Sequence, residues 1–219
     1  FVFVTPIDIS FTLSKAVQTK RVMITQRDET FYISLPEKPR DVEFDPGNWI
    51  PKTLDFEKPK GMLLQQLQTD RNAIGRARAA QRLAKYPTED VVDVLKTAIL
   101  KDAFWGVQAA AAKALGAIRT TSALRALTAG LKTKHPKARR AVVKALGEFR
   151  DEDTAKALMG ILDEGDPSYF VEGEAARSLG KTRSPKAFDI LKKNLRKESF
   201  NEVIRVGVFD GYAELKDPQ

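Results

Sequence analysis

Hydrophobic positions along the chain follow two different periods. Up to about residue 58 they alternate. Ile7, Ile9, Phe11 and Leu13 are separated by mostly polar neighbours, the period of a half-buried strand. Val22-Met23-Ile24, Phe31-Tyr32-Ile33 and Val42-Glu43-Phe44 are further short β-rich runs. The turn-like stretches Gln26-Arg27-Asp28-Glu29 and Asp45-Pro46-Gly47-Asn48 divide them, and Pro6, Pro36, Pro39, Pro46, Pro51 and Pro59 exclude long helices. Residues 1–58 are therefore expected to form four or five short antiparallel strands, a partial β-sandwich with part of it outside this chain.

After Pro59 the pattern becomes a repeat. Arg82-Leu83-Ala84, Ala114-Leu115-Gly116, Ala145-Leu146-Gly147 and Ser178-Leu179-Gly180 set its register, with leucines spaced by 32, 31 and 33 residues. Tyr212 continues the series 33 further on. Four residues before each anchor stands a small or β-branched residue: Ala79, Ala111, Val142, Ala175 and Val208. Twelve after it stands Leu95, Leu127, Leu158 or Leu191, and sixteen after it Ile99, Leu131, Leu162 or Leu195.

This spacing predicts an A helix ending near the glycine, a short loop, and a B helix with one apolar face. Neither helix can bury its stripe alone, so successive pairs must stack around a shared core. His135-Pro136 and Asp166-Pro167 mark turns into the next A helix, and Ser122 and Asp153 are candidate N-caps. The expected fold class is α+β multidomain: a short antiparallel sandwich-like segment, then an α-α superhelix over 59–219 with about four helix pairs and a terminal half-repeat.

Charge adds one feature. The net charge is +8, but residues 60–150 hold 18 basic and 6 acidic side chains, whereas 1–59 hold 8 and 9, and 151–219 hold 11 and 14. A partner would feel that central block as a local field. Lys96, Arg125, Lys132, Lys156, Lys192 and Arg196 fall on the expected B helices away from the leucine stripe. Arg76, Arg78, Lys134, Lys137, Arg139 and Arg140 belong to A helices or turns. The competing reading of all these cations is a solvated helix surface.

Other chemistry is sparse. There is no cysteine, so disulfides and thiolate metal sites are excluded. His135, the single histidine, reads as an exposed turn residue, and one histidine cannot build a histidine-pair zinc site. Asp151-Glu152-Asp153 suits the start of a B helix, and Asp163-Glu164-Gly165-Asp166 lacks calcium-loop spacing. Trp49 and Trp105 are candidate docking aromatics, Trp105 reading more readily as packing. Gly106 and Gly116 lack the strand–loop–helix context of a phosphate cradle. No catalytic residue, metal site or cofactor is expected within these residues. No run reaches the roughly 18 apolar residues of a membrane span; a soluble chain fits the cytoplasm, though composition does not fix the compartment. The chain opens Phe1-Val2-Phe3-Val4 with neither an initiator methionine nor a basic leader, which points to a piece of a longer protein.

The helical part resembles HEAT repeats of the short kind found in phycobilisome-lyase-like proteins. Thr30-Phe31-Tyr32-Ile33-Ser34-Leu35, then Lys38-Pro39-Arg40-Asp41-Val42-Glu43-Phe44-Asp45-Pro46, then Thr53-Leu54-Asp55-Phe56, resemble the end of the β-sandwich domain of aminopeptidase N-like zinc metallopeptidases. Met62–Leu67 and Arg76–Leu83 stand where that family's helical domain begins. The resemblance covers about residues 1–85. It implies a non-catalytic C-terminal accessory domain that packs on an upstream catalytic domain, walls its cavity and helps hold peptide substrate, with the zinc in that upstream domain. The family's His-Glu-x-x-His and Gly-x-Met-x-Asn segments do not occur here.

HEAT arrays usually line their concave side with B helices. Lys96, Arg125, Lys132, Lys156, Lys192 and Arg196 are accordingly the expected peptide-binding set, Arg125 and Lys132 sharing one helix face. The alternative is a stand-alone HEAT scaffold for a protein partner. Nucleic acid or bilin handling fits less well, because aromatic and basic residues do not interleave and the β-rich start would go unexplained.

Overall fold

The computed structural model describes residues 4–215; residues 1–3 and 216–219, at the ends of the two expected domains, lie outside the described residues. The chain divides into two compact units, Phe1–Ala79 and Ala80–Gln219.

In the first unit, strands β1 (Thr5–Thr12), β2 (Val17–Ile24) and β3 (Asp41–Phe44) form one antiparallel sheet in the order β2-β1-β3. Ile7 pairs with Val22, and Phe11 pairs with both Gln18 and Val42, so the central strand buries Ile7 and Phe11. Three strands are found where four or five were expected. The missing one is Phe31-Tyr32-Ile33, which joins no ladder and leaves Tyr32 95% exposed. Strand preference expresses fit to a half-buried pleated surface, and this run faces none.

Helix α1 (Lys60–Thr69) follows directly on the composition shift at Pro59 and buries Leu63 and Leu67. Lys58 Nζ donates to Asp41 at 2.6 Å and to Gln66 at 3.0 Å, which ties β3 to α1 through a buried ion pair. Asp45, at φ 50°, accepts the backbone N–H groups of Trp49 and Ile50 and the ammonium of Lys52, closing the turn after β3.

The remaining helices alternate as the repeat requires. The A helices are α2 (Ala73–Leu83), α4 (Trp105–Ile118), α6 (Pro136–Leu146), α8 (Tyr169–Thr182) and α10 (Val203–Leu215). The B helices are α3 (Glu89–Lys101), α5 (Thr121–Gly130), α7 (Glu152–Glu164) and α9 (Ala187–Asn194). The dividing line between the two units falls inside α2. The anchors Leu83, Leu115, Leu146 and Leu179 are fully buried, as are Leu95, Leu127, Leu158 and Leu191 twelve residues on. The small residues Ala79, Ala111, Val142, Ala175 and Val208 are also fully buried.

Two local expectations are corrected. The N-caps are Thr120, which accepts from Ala123 N, and Asp151, which accepts from Asp153 N and Thr154 N; Ser122 and Asp153 lie one turn position inside their helices. The anchor glycines mostly serve packing, not helix ends. Gly147 caps α6, but α4 runs on to Ile118 and α8 to Thr182. A Cβ at Gly116 would meet the Ala145 Cβ at 3.0 Å, and one at Gly180 would meet the Gly211 carbonyl oxygen at 2.0 Å.

Within the second unit the successive A helices α4, α6, α8 and α10 therefore touch closely, α8 and α10 backbone to backbone.

Candidate functional site

The repeat places an arginine four residues after three successive anchors: Arg119, Arg150 and Arg183. All three sit in the turns from A to B helices, at one edge of the solenoid. Arg119 and Arg183 both adopt φ 56° and end their helices there, donating backbone N–H to Leu115 and Gly180 carbonyls. That left-handed position favours glycine or asparagine, and a larger side chain costs about 1 kcal/mol. Arg150 stands in register with these two, without the left-handed backbone.

These arginines line a cleft of about 610 Å³ together with Gly147, Glu148, Lys181 and Glu214. Glu148 accepts from Arg119 Nη2 at 2.7 Å and from Lys181 Nζ at 3.1 Å. Burial alone would raise the Glu148 carboxyl, but the Lys181 and Arg119 hydrogen bonds and charges hold it below its ordinary value. Arg150 and Arg183 are exposed and have no side-chain partner among the described residues. Four cations thus face two carboxylates, a local excess suited to anions that a planar guanidinium can grip with two parallel hydrogen bonds.

The opposite edge carries the turns from B to A helices. There His135 caps α6, its Nδ1 accepting from Lys137 N at 3.2 Å, and its ring stacks on Trp105 with centroids 5.6 Å apart. Lys137 Nζ lies 4.7 Å from the Trp105 ring centroid, and Phe104 packs beside it. Both candidate roles for these residues resolve as bracing between repeats. Trp49, by contrast, is exposed, with its indole folded over Gly47. On this edge Asp166 is gripped by Arg139 through both oxygens, at 2.5 and 2.7 Å, so it offers no empty anion site.

The six sequence-selected cations do not form one cluster. Lys96, Arg125, Lys156 and Lys192 lie exposed on α3, α5, α7 and α9, with Lys156 reaching Asp153 at 3.3 Å. Lys132 and Arg196 follow the ends of α5 and α9 and lie in turns, so Arg125 and Lys132 do not share a helix face. Asp93 and Asp189 occupy on α3 and α9 the repeat position that Arg125 and Lys156 hold on α5 and α7, so the B layer is mixed in sign. The arginine file escaped that selection although the signal was present: it follows the same register that located the core.

The family described as HEAT repeats matches residues 62–141 and again 127–208. The chain belongs to the HEAT-repeat family. Its fold is similar to the structure of the complex of CpcE and CpcF of phycocyanin lyase from Nostoc sp. PCC7120, at 20% identity and a TM-score of 0.58 over 77% of this chain and 69% of that one. It is also similar to human deoxyhypusine hydroxylase in complex with glycerol, at 18% identity and a TM-score of 0.50 over 72% of this chain and 73% of that one. No curated protein matches.

These findings overturn the aminopeptidase resemblance. The matched family and both structural neighbours are HEAT-repeat proteins, not the C-terminal domain of a zinc peptidase. The physical reason lies in residues 30–35, which carried much of the likeness and form no strand of any sandwich. Among the described residues no three His, Cys, Asp or Glu side chains group to hold a metal, and no helix is long and apolar enough to cross a membrane.

Proposed function

We propose that this HEAT-repeat protein is a binding scaffold that holds an acidic partner protein along the edge formed by its A-to-B turns. The observation that carries the reading is the arginine file Arg119, Arg150 and Arg183, one per repeat, in a cleft where cations outnumber carboxylates. A module of stacked pairs supplies an extended surface, and equivalent side chains recur along it at the repeat spacing. The phycocyanin lyase neighbour is itself seen in a complex of two proteins, which is consistent with a protein-directed role.

Single exposed ion pairs contribute only about 0–1 kcal/mol each, so several cations must act together. Arg150 and Arg183 make the direct contacts. Lys96, Arg125, Lys132, Lys156, Lys192 and Arg196 add to the field that draws an acidic chain in, and those on the B helices make the weaker, outer contribution.

The test uses a fluorescein-labelled oligoglutamate peptide and the full chain, with binding followed by fluorescence anisotropy. Arg150→Glu with Arg183→Glu should weaken binding roughly ten-fold or more, about 1.4 kcal/mol. Lys96→Glu with Lys192→Glu should change it much less. Raising salt so that the Debye length falls from about 10 Å toward 3 Å should weaken binding steadily. Absence of binding, or indifference to the arginine reversals, would remove the proposal.

A further inference from the structure

The cleft already contains a carboxylate of the protein itself. Glu148, near the end of the third A helix, takes Arg119 from the repeat before it and Lys181 from the repeat after it. Next along the same edge, Arg150 and Arg183 present guanidinium groups with no partner among the described residues. The cleft is therefore part-filled: one anion place is taken and two are open.

We infer that the cleft reads an extended acidic segment of the partner with a carboxylate at every third residue, one per repeat, and that Glu148 occupies the first of these places in the free protein. This rests on the acidic-partner reading above. The spacing follows from geometry. Side chains in the same phase of successive repeats are separated by one interhelix distance, about 8–10 Å for packed helices. An extended chain in the polyproline II conformation has three residues per turn and advances about 3.1 Å per residue, so every third side chain returns to the same face about one repeat further on. A contiguous acidic run would put most of its carboxylates between guanidinium groups, where they repel one another without gaining a partner.

Glu214 is the second carboxylate of the cleft. It occupies on α10 the position that Glu148 occupies on α6, two repeats away, and it also lines the cleft. It shares the cleft with Arg183, so it competes there with an incoming acid. A partner segment thus spans Arg150 and Arg183, and reaches Arg119 only by displacing Glu148.

The experiment compares two short fluorescein-labelled peptides of one composition on the full chain. One has glutamate at every third position with glycine and serine between, and its isomer has the glutamates adjacent. The spaced peptide should bind about five-fold tighter, the effect of one well-placed exposed contact. Arg150→Gln and Arg183→Gln should each abolish that preference. Glu148→Gln should tighten the spaced peptide about three-fold by releasing Arg119 and Lys181, and should leave the isomer nearly unchanged. A purely general positive field predicts equal gains for both peptides on Glu148→Gln. Equal binding of the two isomers, or no gain on Glu148→Gln with helicity intact by circular dichroism, overturns the spaced reading while leaving the acidic-partner reading in place. If neither peptide binds, both fall together.

Discussion

The Cα of Gly180 in α8 is packed so closely on Gly211 in α10 that an added Cβ would lie 2.0 Å from the Gly211 carbonyl oxygen. Gly207 and Gly173 repeat the relationship one turn earlier on α10 and two turns earlier on α8, where a Cβ on Gly207 would lie 2.2 Å from the Gly173 carbonyl. These two helices are thus joined through bare backbone. A side chain there must push the last A helix off the stack, since the obstructing atoms are carbonyls fixed in helical hydrogen bonds.

Gly180→Ala should therefore destabilise the protein by about 1–3 kcal/mol or more, as overpacking against backbone. Gly160→Ala is the matched control. Gly160 lies inside α7, with nothing within 4 Å of the added methyl group. Alanine is better than glycine in a helix interior by about 0.5–1 kcal/mol, so this change should stabilise. Chemical denaturation monitored at the helical circular dichroism band would show opposite shifts for the two variants. Equal shifts would mean that helix propensity, not backbone contact, governs both sites.

This pair also shows what was legible in the sequence. Register, helix order and the core leucines could be read because a repeat states each requirement several times, and Leu115, Leu146 and Leu179 each carry the same demand. The purpose of the glycines could not be read. Gly116, Gly147 and Gly180 all resemble helix stops, and only the partner helix reveals that all three are contact points. In the first unit a single strand-like run, Phe31-Tyr32-Ile33, had no second copy to check it against, and it proved unpaired.

The stacked rings of Trp105 and His135, 15° from parallel, join the second and third repeats across their turns. His135 performs two tasks, as a ring partner and as the cap of α6. Asparagine keeps a cap without a stacking ring, so His135→Asn separates them. In a double-mutant cycle, Trp105→Ala and His135→Asn should couple by about 0.5–1.5 kcal/mol. His135→Ala should cost about 1 kcal/mol more than His135→Asn, for the lost cap. A coupling energy indistinguishable from zero would show the stack to be incidental.

Glu43 on β3 gives the first unit a pH dependence of its own. Burial is the main cause that raises its carboxyl from 4.5 to about 7; the nearby charges of Asp70 and Asp41 add to it and Lys58 opposes it. An acid whose folded pKa exceeds its unfolded value contributes most stability while protonated in both states, below about 4.5. As pH rises from about 4.5 to about 7, the unfolded chain releases the proton first and stability falls, reaching its full loss once the folded group ionises. Half of the side chain remains near solvent, so the loss is discounted to roughly 1–2 kcal/mol. Asp45 and Glu148 have lowered values and act in the opposite sense, but only at more acidic pH, below the unfolded carboxylate range. Glu43→Gln should remove the decline between those limits and stabilise the β1–β3 sheet at neutral pH. Hydrogen exchange of the β1 amides, corrected for the intrinsic pH dependence of exchange, reads this unit separately from the helices. A decline that persists in Glu43→Gln would assign it to Asp41, whose carboxyl is also raised, chiefly by burial and against the pull of Lys58.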